Sequence, residues 1–213
     1  MQLIGMLDSP YVRRVAISLQ LLGLKFEHQS VSVFRSFAQF QAINPVVKAP
    51  SLVCDDGTVL MDSTLMLDYA EALAAQTTGK SLMPTELPAR LQALRVIGLA
   101  LAACEKSVQI IYERQLRPAE KQHAPWLQRI TGQLLAACDA LETELTSHPL
   151  TARSPSLGQD AVSVAVAWKF TQMMLPELVP AQNYPALSAF SAQAEHLPEF
   201  AAAPHSDLTY HSA

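Results

Sequence analysis

The order of apolar and polar residues divides this chain near residue 80 into two parts with different periods. Gln2-Leu3-Ile4-Gly5-Met6 is a short apolar run of the kind that buries as a strand. Asp8-Ser9-Pro10 supplies a helix start, a polar cap followed by proline at the first helical position, where its missing N–H costs no bond. Val12, Val15, Leu19 and Leu22 then recur at spacings of 3, 4 and 3, one face of a helix, and Gly23 is placed to stop it. Residues 26–33 alternate imperfectly and predict a second strand, which would close a right-handed βαβ unit. Part of 34–42 predicts a second helix.

Asn44-Pro45-Val46-Val47-Lys48-Ala49-Pro50 cannot be helical, because each proline excludes the residue before it from helical backbone angles. Residues 51–54 and 58–61, joined through Asp55-Asp56-Gly57, carry a hairpin signal, with Pro50 at its mouth. Asp62-Ser63-Thr64 caps a third helix bearing Met66, Leu67, Ala70 and Leu73. Residues 1–80 thus predict a four-stranded mixed sheet with helices. The polar stretch 77–81 and the prolines at 84 and 88 read as a linker, with a boundary near Thr85. Beyond it the period becomes helical. Leu91, Leu94, Ile97, Leu101, Cys104, Val108 and Ile111 predict one long helix, and Leu127, Ile130, Leu134, Cys138, Leu141 and Leu145 a second, antiparallel to it after a turn at Arg117-Pro118. Residues 161–170, apolar nearly all round, predict the core helix of a bundle. Prolines at 176, 180, 185 and 198 break what remains into short pieces, and 205–213 is expected to fray. The class is α/β plus all-α, with domains at 1–80 and 86–213.

Composition narrows the chemistry. The chain has 213 residues, 50% hydrophobic and 16% charged, with formal net charge −4. That length buries a core without help from disulfides or metals, and the mild acidity gives no attraction for nucleic acid or an anionic membrane. Only 7 glycines occur, which argues against Gly-rich phosphate loops and Gly-kinked sheets, and no GxGxxG, GxxxxGK[ST] or GxSxG is present. No targeting or membrane-spanning segment is expected, since the apolar run at 161–168 falls short of the ~20 residues a bilayer needs. Cys54, Cys104 and Cys138 are widely separated and form no CxxC, and the six histidines form no HxxxH. Buried, inert thiols, a reducing cytoplasm and no bound metal follow as expectations.

Three motifs in this order resemble the cytosolic glutathione transferases, over essentially the whole chain. Ser9-Pro10-Tyr11-Val12-Arg13-Arg14-Val15 looks like the family's catalytic segment at the start of the first helix, in its bacterial form with serine at the catalytic position. Asn44-Pro45-Val46-Val47-Lys48-Ala49-Pro50 looks like the family's N-P-x-x-K-[VA]-P loop, and Asp62-Ser63 like its acidic-or-Gln/Ser pair. The resemblance implies a thioredoxin-like N-terminal domain followed by a helical-bundle domain. It also implies glutathione as co-substrate, a small hydrophobic electrophile, a cytoplasmic homodimer and a role in detoxification. By the same resemblance Ser9 is catalytic, a cis Pro50 exposes the Ala49 backbone to glutathione, and Lys48 takes the glycyl carboxylate. Ser63 then takes the γ-glutamyl carboxylate, and Asp62 helps place the α-amino group.

Each of these residues also has a plain structural reading. Ser9 before Pro10 is an N-cap, and the cap and donor roles exclude each other unless the hydroxyl turns from backbone to ligand. As a donor to a thiolate it would give ~1.5–3 kcal/mol, roughly one to two pKa units for a thiol. Tyr11 is a rival donor inside the helix. Pro50 can be an ordinary trans proline, Lys48 a solvated loop lysine, and Asp62-Ser63 a pair of caps. One of Arg13 and Arg14 is expected to be buried and paired, the other solvated. Tyr11, Tyr112 and Trp168, with Met173, are candidates for an apolar electrophile pocket. Serine at position 9 argues against mixed-disulfide chemistry. The resemblance implies a capping Ser or Thr three residues before Asp160, but Leu157 stands there and Ser156 comes one position too early, leaving a shifted cap or Gly158 to start that helix. A non-conjugating binding protein and a glutathione-dependent isomerase, dehalogenase or peroxidase are the competing functions, and Pro10-Tyr11 disfavours the isomerase.

Overall fold

The computed structural model describes residues 1–154 and 156–210. They fall into two compact units, one of residues 1–83 with the described parts of 153–157 and 196–213, the other of 84–152 and 158–195.

The first unit is built on a four-stranded sheet in the order β2-β1-β3-β4. β1 (Gln2–Ile4) pairs parallel with β2 (Glu27–Gln29) and antiparallel with β3 (Ser51–Val53), which pairs antiparallel with β4 (Val59–Met61). This is the expected mixed, thioredoxin-like sheet. β2 is shorter than the 26–33 run because its serines leave the ladder. The Ser30 hydroxyl donates to the Asp207 carbonyl, and Ser32 Oγ accepts from the amides of Phe34 and Arg35. α1 (Pro10–Leu21) ends as the sequence predicts: Gly23 takes φ +72°, while the amides of Gly23 and Leu24 donate to the carbonyls of Gln20 and Leu19. α2 (Phe37–Ile43) precedes the proline loop, and α3 (Ser63–Thr77) packs against α1. Leu3, Val12, Val15, Leu19, Leu52 and Met66 are fully buried between sheet and helices.

Two expectations fail here. Both Arg13 and Arg14 are buried, at 1% and 2% exposure. Arg13 Nε donates to the Ala203 carbonyl at 2.7 Å, with its guanidinium 5.5 Å from the Phe200 ring centre, so it anchors α8 (Pro198–Ala202) to α1. The described part of the tail is also held rather than frayed. Tyr210 stacks on Phe26 at 4.9 Å, and its amide donates to His28 Nδ1 at 2.8 Å. His28 Nε2 must then carry the ring proton and donate to the Gly5 carbonyl, 2.6 Å away. Residues 211–213 of that expectation lie outside the described residues.

The second unit contains α4 (Leu87–Gln115), α5 (Ala124–Ser147), α6 (Gln159–Met174) and α7 (Pro185–Glu195), and has no strand among its described residues. α4 packs along α5 and α6, and α6 is buried on almost every side, as its composition predicts. Gly158 is its N-cap, and Asp160 Oδ1 accepts from the Ala161 amide. α4 is long and apolar enough to cross a membrane by length and composition alone, a test that the core helix of a bundle also meets, and here it packs along α5 and α6.

Candidate functional site

Where the chain leaves β1, the first turn of α1 and the proline loop come together. Gly5 takes φ +134°, and a Cβ built there would lie 2.7 Å from Val12 Cγ2 and 3.3 Å from the Ala49 Cβ. Only glycine lets the end of β1, the first turn of α1 and the proline loop approach so closely.

Ser9 is half-buried at the N-cap of α1, with φ −72° and ψ 124°. Its Oγ accepts from the Val12 amide at 3.5 Å, the outer limit of a hydrogen bond. This contact uses a lone pair and leaves the hydroxyl proton to be donated, so capping and donation to a ligand do not exclude each other. The partial positive charge of the 12-residue helix falls at the same place. Burial pushes the neighbouring Asp8 carboxyl above its ordinary value; Asp207 pushes it further, while the Ser9 backbone bond and Arg35 oppose. Arg35 Nη2 sits 3.3 Å from Asp207 Oδ2 and 3.6 Å from Met6 Sδ, so the described tail reaches this edge of the site. Tyr11 is half-buried in the first turn.

The 44–50 loop is held from inside. Buried Asn44 donates through Nδ2 to Ser51 Oγ at 2.8 Å and accepts the Val46 amide at 3.0 Å. Ser51 Oγ donates onward to the Lys48 carbonyl at 2.9 Å. Val47 adopts φ +53°, the Ala49–Pro50 bond is cis, and the Lys48 side chain is exposed.

At the start of α3, Asp62 takes φ +72°, a conformation that costs ~1–3 kcal/mol for a residue with a Cβ. Its Oδ1 accepts the Thr64 amide at 2.9 Å, capping the helix. Ser63 is buried, and its Oγ accepts from Arg14 Nη1 at 3.0 Å. The second turn of α1 and the first turn of α3 are thereby tied together.

The second unit carries the other candidates. Tyr112 on α4 and Met173 on α6 are exposed, at 44% and 53%. Trp168 is buried edge-on against Tyr184, ring centres 5.5 Å apart at 61°, and so serves the core of its own unit. Cys54, Cys104 and Cys138 are buried and form no disulfide, and burial drives the Cys138 thiol up to about 12. Among the described residues no group of three or more His, Cys, Asp or Glu side chains gathers as metal ligands.

Sequence reasoning did not single out Gly5, Asn44, Arg14 or Asp207 for the site. Asn44 and Arg14 lay inside quoted motifs, and their polar side chains beside apolar runs were the available signal. Asp207 had none, since its part depends on how the tail returns.

Comparison with known proteins gives one consistent picture. Residues 3–78 match the family model for the glutathione S-transferase N-terminal domain. The chain is 30% identical to a glutathione transferase family member from Pseudomonas fluorescens Pf-5, solved with bound glutathione. That alignment covers 95% of this chain and 97% of the other, with a TM-score of 0.78. It is 26% identical to a glutathione S-transferase from Methylobacterium radiotolerans solved with glutathione sulfonate, covering 94% and 92%, TM-score 0.82. Among curated proteins it is 26% identical to the uncharacterised GST-like protein YibF of Escherichia coli K12, covering 79% of this chain and 81% of the relative.

Proposed function

The chain belongs to the glutathione transferase family, and from that premise we propose that it binds glutathione on its first unit and activates the thiol for attack on a small hydrophobic electrophile. Ser9 donates its hydroxyl proton to the bound sulfur. The backbone of Ala49, turned by Pro50, pairs with the cysteinyl peptide of glutathione, as an added strand pairs with a sheet edge. Lys48 takes the glycyl carboxylate. Ser63 and the N-terminus of α3 take the γ-glutamyl carboxylate, and Asp62 helps place the α-amino group.

The observation that carries this reading is Ser9 itself: a half-buried hydroxyl at the N-terminus of α1 whose backbone contact is long and uses only a lone pair. A hydrogen bond to a thiolate is worth ~1.5–3 kcal/mol, enough to lower a thiol near 8.5 by roughly one to two units and hold much of it ionised near neutrality. Three buried thiols that form no disulfide fit a reducing, cytoplasmic setting.

We further infer a homodimer. Leu65 and Tyr69, one turn apart on α3, stay exposed, as do Leu87, Leu91 and Leu94 on α4. Such apolar stripes are what a second copy would cover. A monomer in light scattering at micromolar concentration would contradict this.

The function is tested by calorimetric titration of glutathione paired with a conjugation assay against model electrophiles. Saturable binding with turnover is expected. Binding without turnover against any electrophile would leave a non-conjugating binder, and absence of binding would end the reading.

A further inference from the structure

Arg14 is a buried cation to which the family motifs give no task. It stands in the second turn of α1, and its Nη1 lies 3.0 Å from Ser63 Oγ and 3.3 Å from Thr64 Oγ1. A guanidinium only donates. Both hydroxyl oxygens are therefore acceptors toward Arg14, and their own protons must point elsewhere. Among the described residues neither proton has an acceptor, while the Thr64 amide is already spent on Asp62 Oδ1. A turn of helix so arranged offers two hydroxyl protons above a positive charge at 2% exposure, where water screens it little.

Resting on the reading that this turn receives the γ-glutamyl carboxylate, we propose that Arg14 is its positioning residue: it locks Ser63 and Thr64 as outward-facing donors and makes the subsite require a carboxylate. Thr64 becomes the second hydroxyl donor there. A carboxylate accepts from both hydroxyls and gains from the charge beneath. A carboxamide of the same shape gains nothing from the charge and opposes one hydroxyl proton with its own N–H.

The test is a ratio, which a merely structural role would not move. Dissociation constants are measured calorimetrically for glutathione and for glutathione amidated at the γ-glutamyl α-carboxylate. Wild type should prefer glutathione by roughly 10- to 100-fold, the worth of a hydrogen bond to a charged group. Arg14→Met should bring the ratio near one, chiefly by weakening glutathione, and Ser63→Ala should also lower it. Arg14→Lys, which keeps the charge on a shorter, more strongly hydrated ammonium and loses the fixed geometry of the guanidinium, should fall between. If Arg14→Met does not fold by circular dichroism, Arg14→Lys decides. A wild-type ratio kept in the folded arginine variant while Ser63→Ala lowers it overturns the role of Arg14 and leaves the subsite standing. A ratio of one in wild type removes the subsite and this role with it.

Discussion

Gly5 and Val12 leave no room between them for a side chain: a Cβ on Gly5 would stand 2.7 Å from Val12 Cγ2, with Ala49 close on the other side. This contact sets the start of α1 against both β1 and the cis-proline loop. Gly5→Ala should therefore cost both backbone strain and overpacking, about 2–4 kcal/mol together in urea unfolding. Gly57, at φ +86° with nothing within 4 Å of its missing Cβ, is the control. Gly57→Ala should show strain alone, about 1–2 kcal/mol. Equal costs at the two positions would mean the close approach at Gly5 carries no weight.

The Asp8 carboxyl is raised above its ordinary value chiefly by burial, with Asp207 adding to the shift. A carboxyl that titrates higher in the folded chain than in the unfolded one favours folding fully only below the unfolded value. That contribution is withdrawn as the pH climbs through the raised folded value. Asp8→Asn removes this loss. The variant should melt higher than wild type at pH 7, with the difference vanishing below pH 3.8. Melting curves that run parallel from pH 3 to pH 7 would contradict it.

What the sequence made legible, and what it did not, follows from the range of the interactions involved. The periodic runs, the Gly23 stop, the Asp-Gly hairpin and the core character of α6 are local patterns, and each reappears in the structure. β2 was overextended because Ser30 and Ser32 bond to the tail and to the next turn, which alternation does not encode. The sequence places only one of Arg13 and Arg14 inside and lets the tail fray, because the burial of Arg13 and the holding of the tail both depend on residues 197–210 returning to the first unit, a separation of more than 180 residues for Tyr210 and His28. Ser9, Lys48, Pro50 and Ser63 are singled out by motif order, and of what that order implies the structure shows the cis Ala49–Pro50 bond. Arg14 was passed over because its partner stands 49 residues away.

Lys48 is exposed on a loop held by Asn44 and Ser51. If it takes a glutathione carboxylate, Lys48→Ala should weaken binding more at low salt than at 0.5 M, because an exposed charge is screened. Asn44→Ala should instead weaken binding equally at both salts and lower stability by about 1–3 kcal/mol, the cost of unmaking buried hydrogen bonds. The reverse pattern in calorimetry at two ionic strengths would exchange the charge and scaffold roles.

Cys104 and Cys138 are buried, and the Cys138 thiol is pushed up to about 12; Cys54 is also raised, by burial first and then by Asp56 and Asp55. A thiol-specific disulfide reagent at pH 7.5 should find all three slow in the folded protein and fast in denaturant. A thiol that reacts at once without denaturant would break the reading of these cysteines as packing residues.

The central claim is that the Ser9 hydroxyl stabilises the thiolate of bound glutathione. The most direct measurement is the pH–rate profile of conjugation for Ser9→Ala beside wild type. The account predicts that glutathione affinity at low pH stays nearly intact. It predicts that conjugation at pH 6.5 falls by about one to two orders of magnitude, at about 1.4 kcal/mol per factor of ten, and that most of the loss is recovered toward pH 9, where solvent deprotonates the thiol unaided. A serine that only caps α1 would cost about 1 kcal/mol of stability and leave the profile unmoved. Superimposable profiles for Ser9→Ala and wild type would contradict the account.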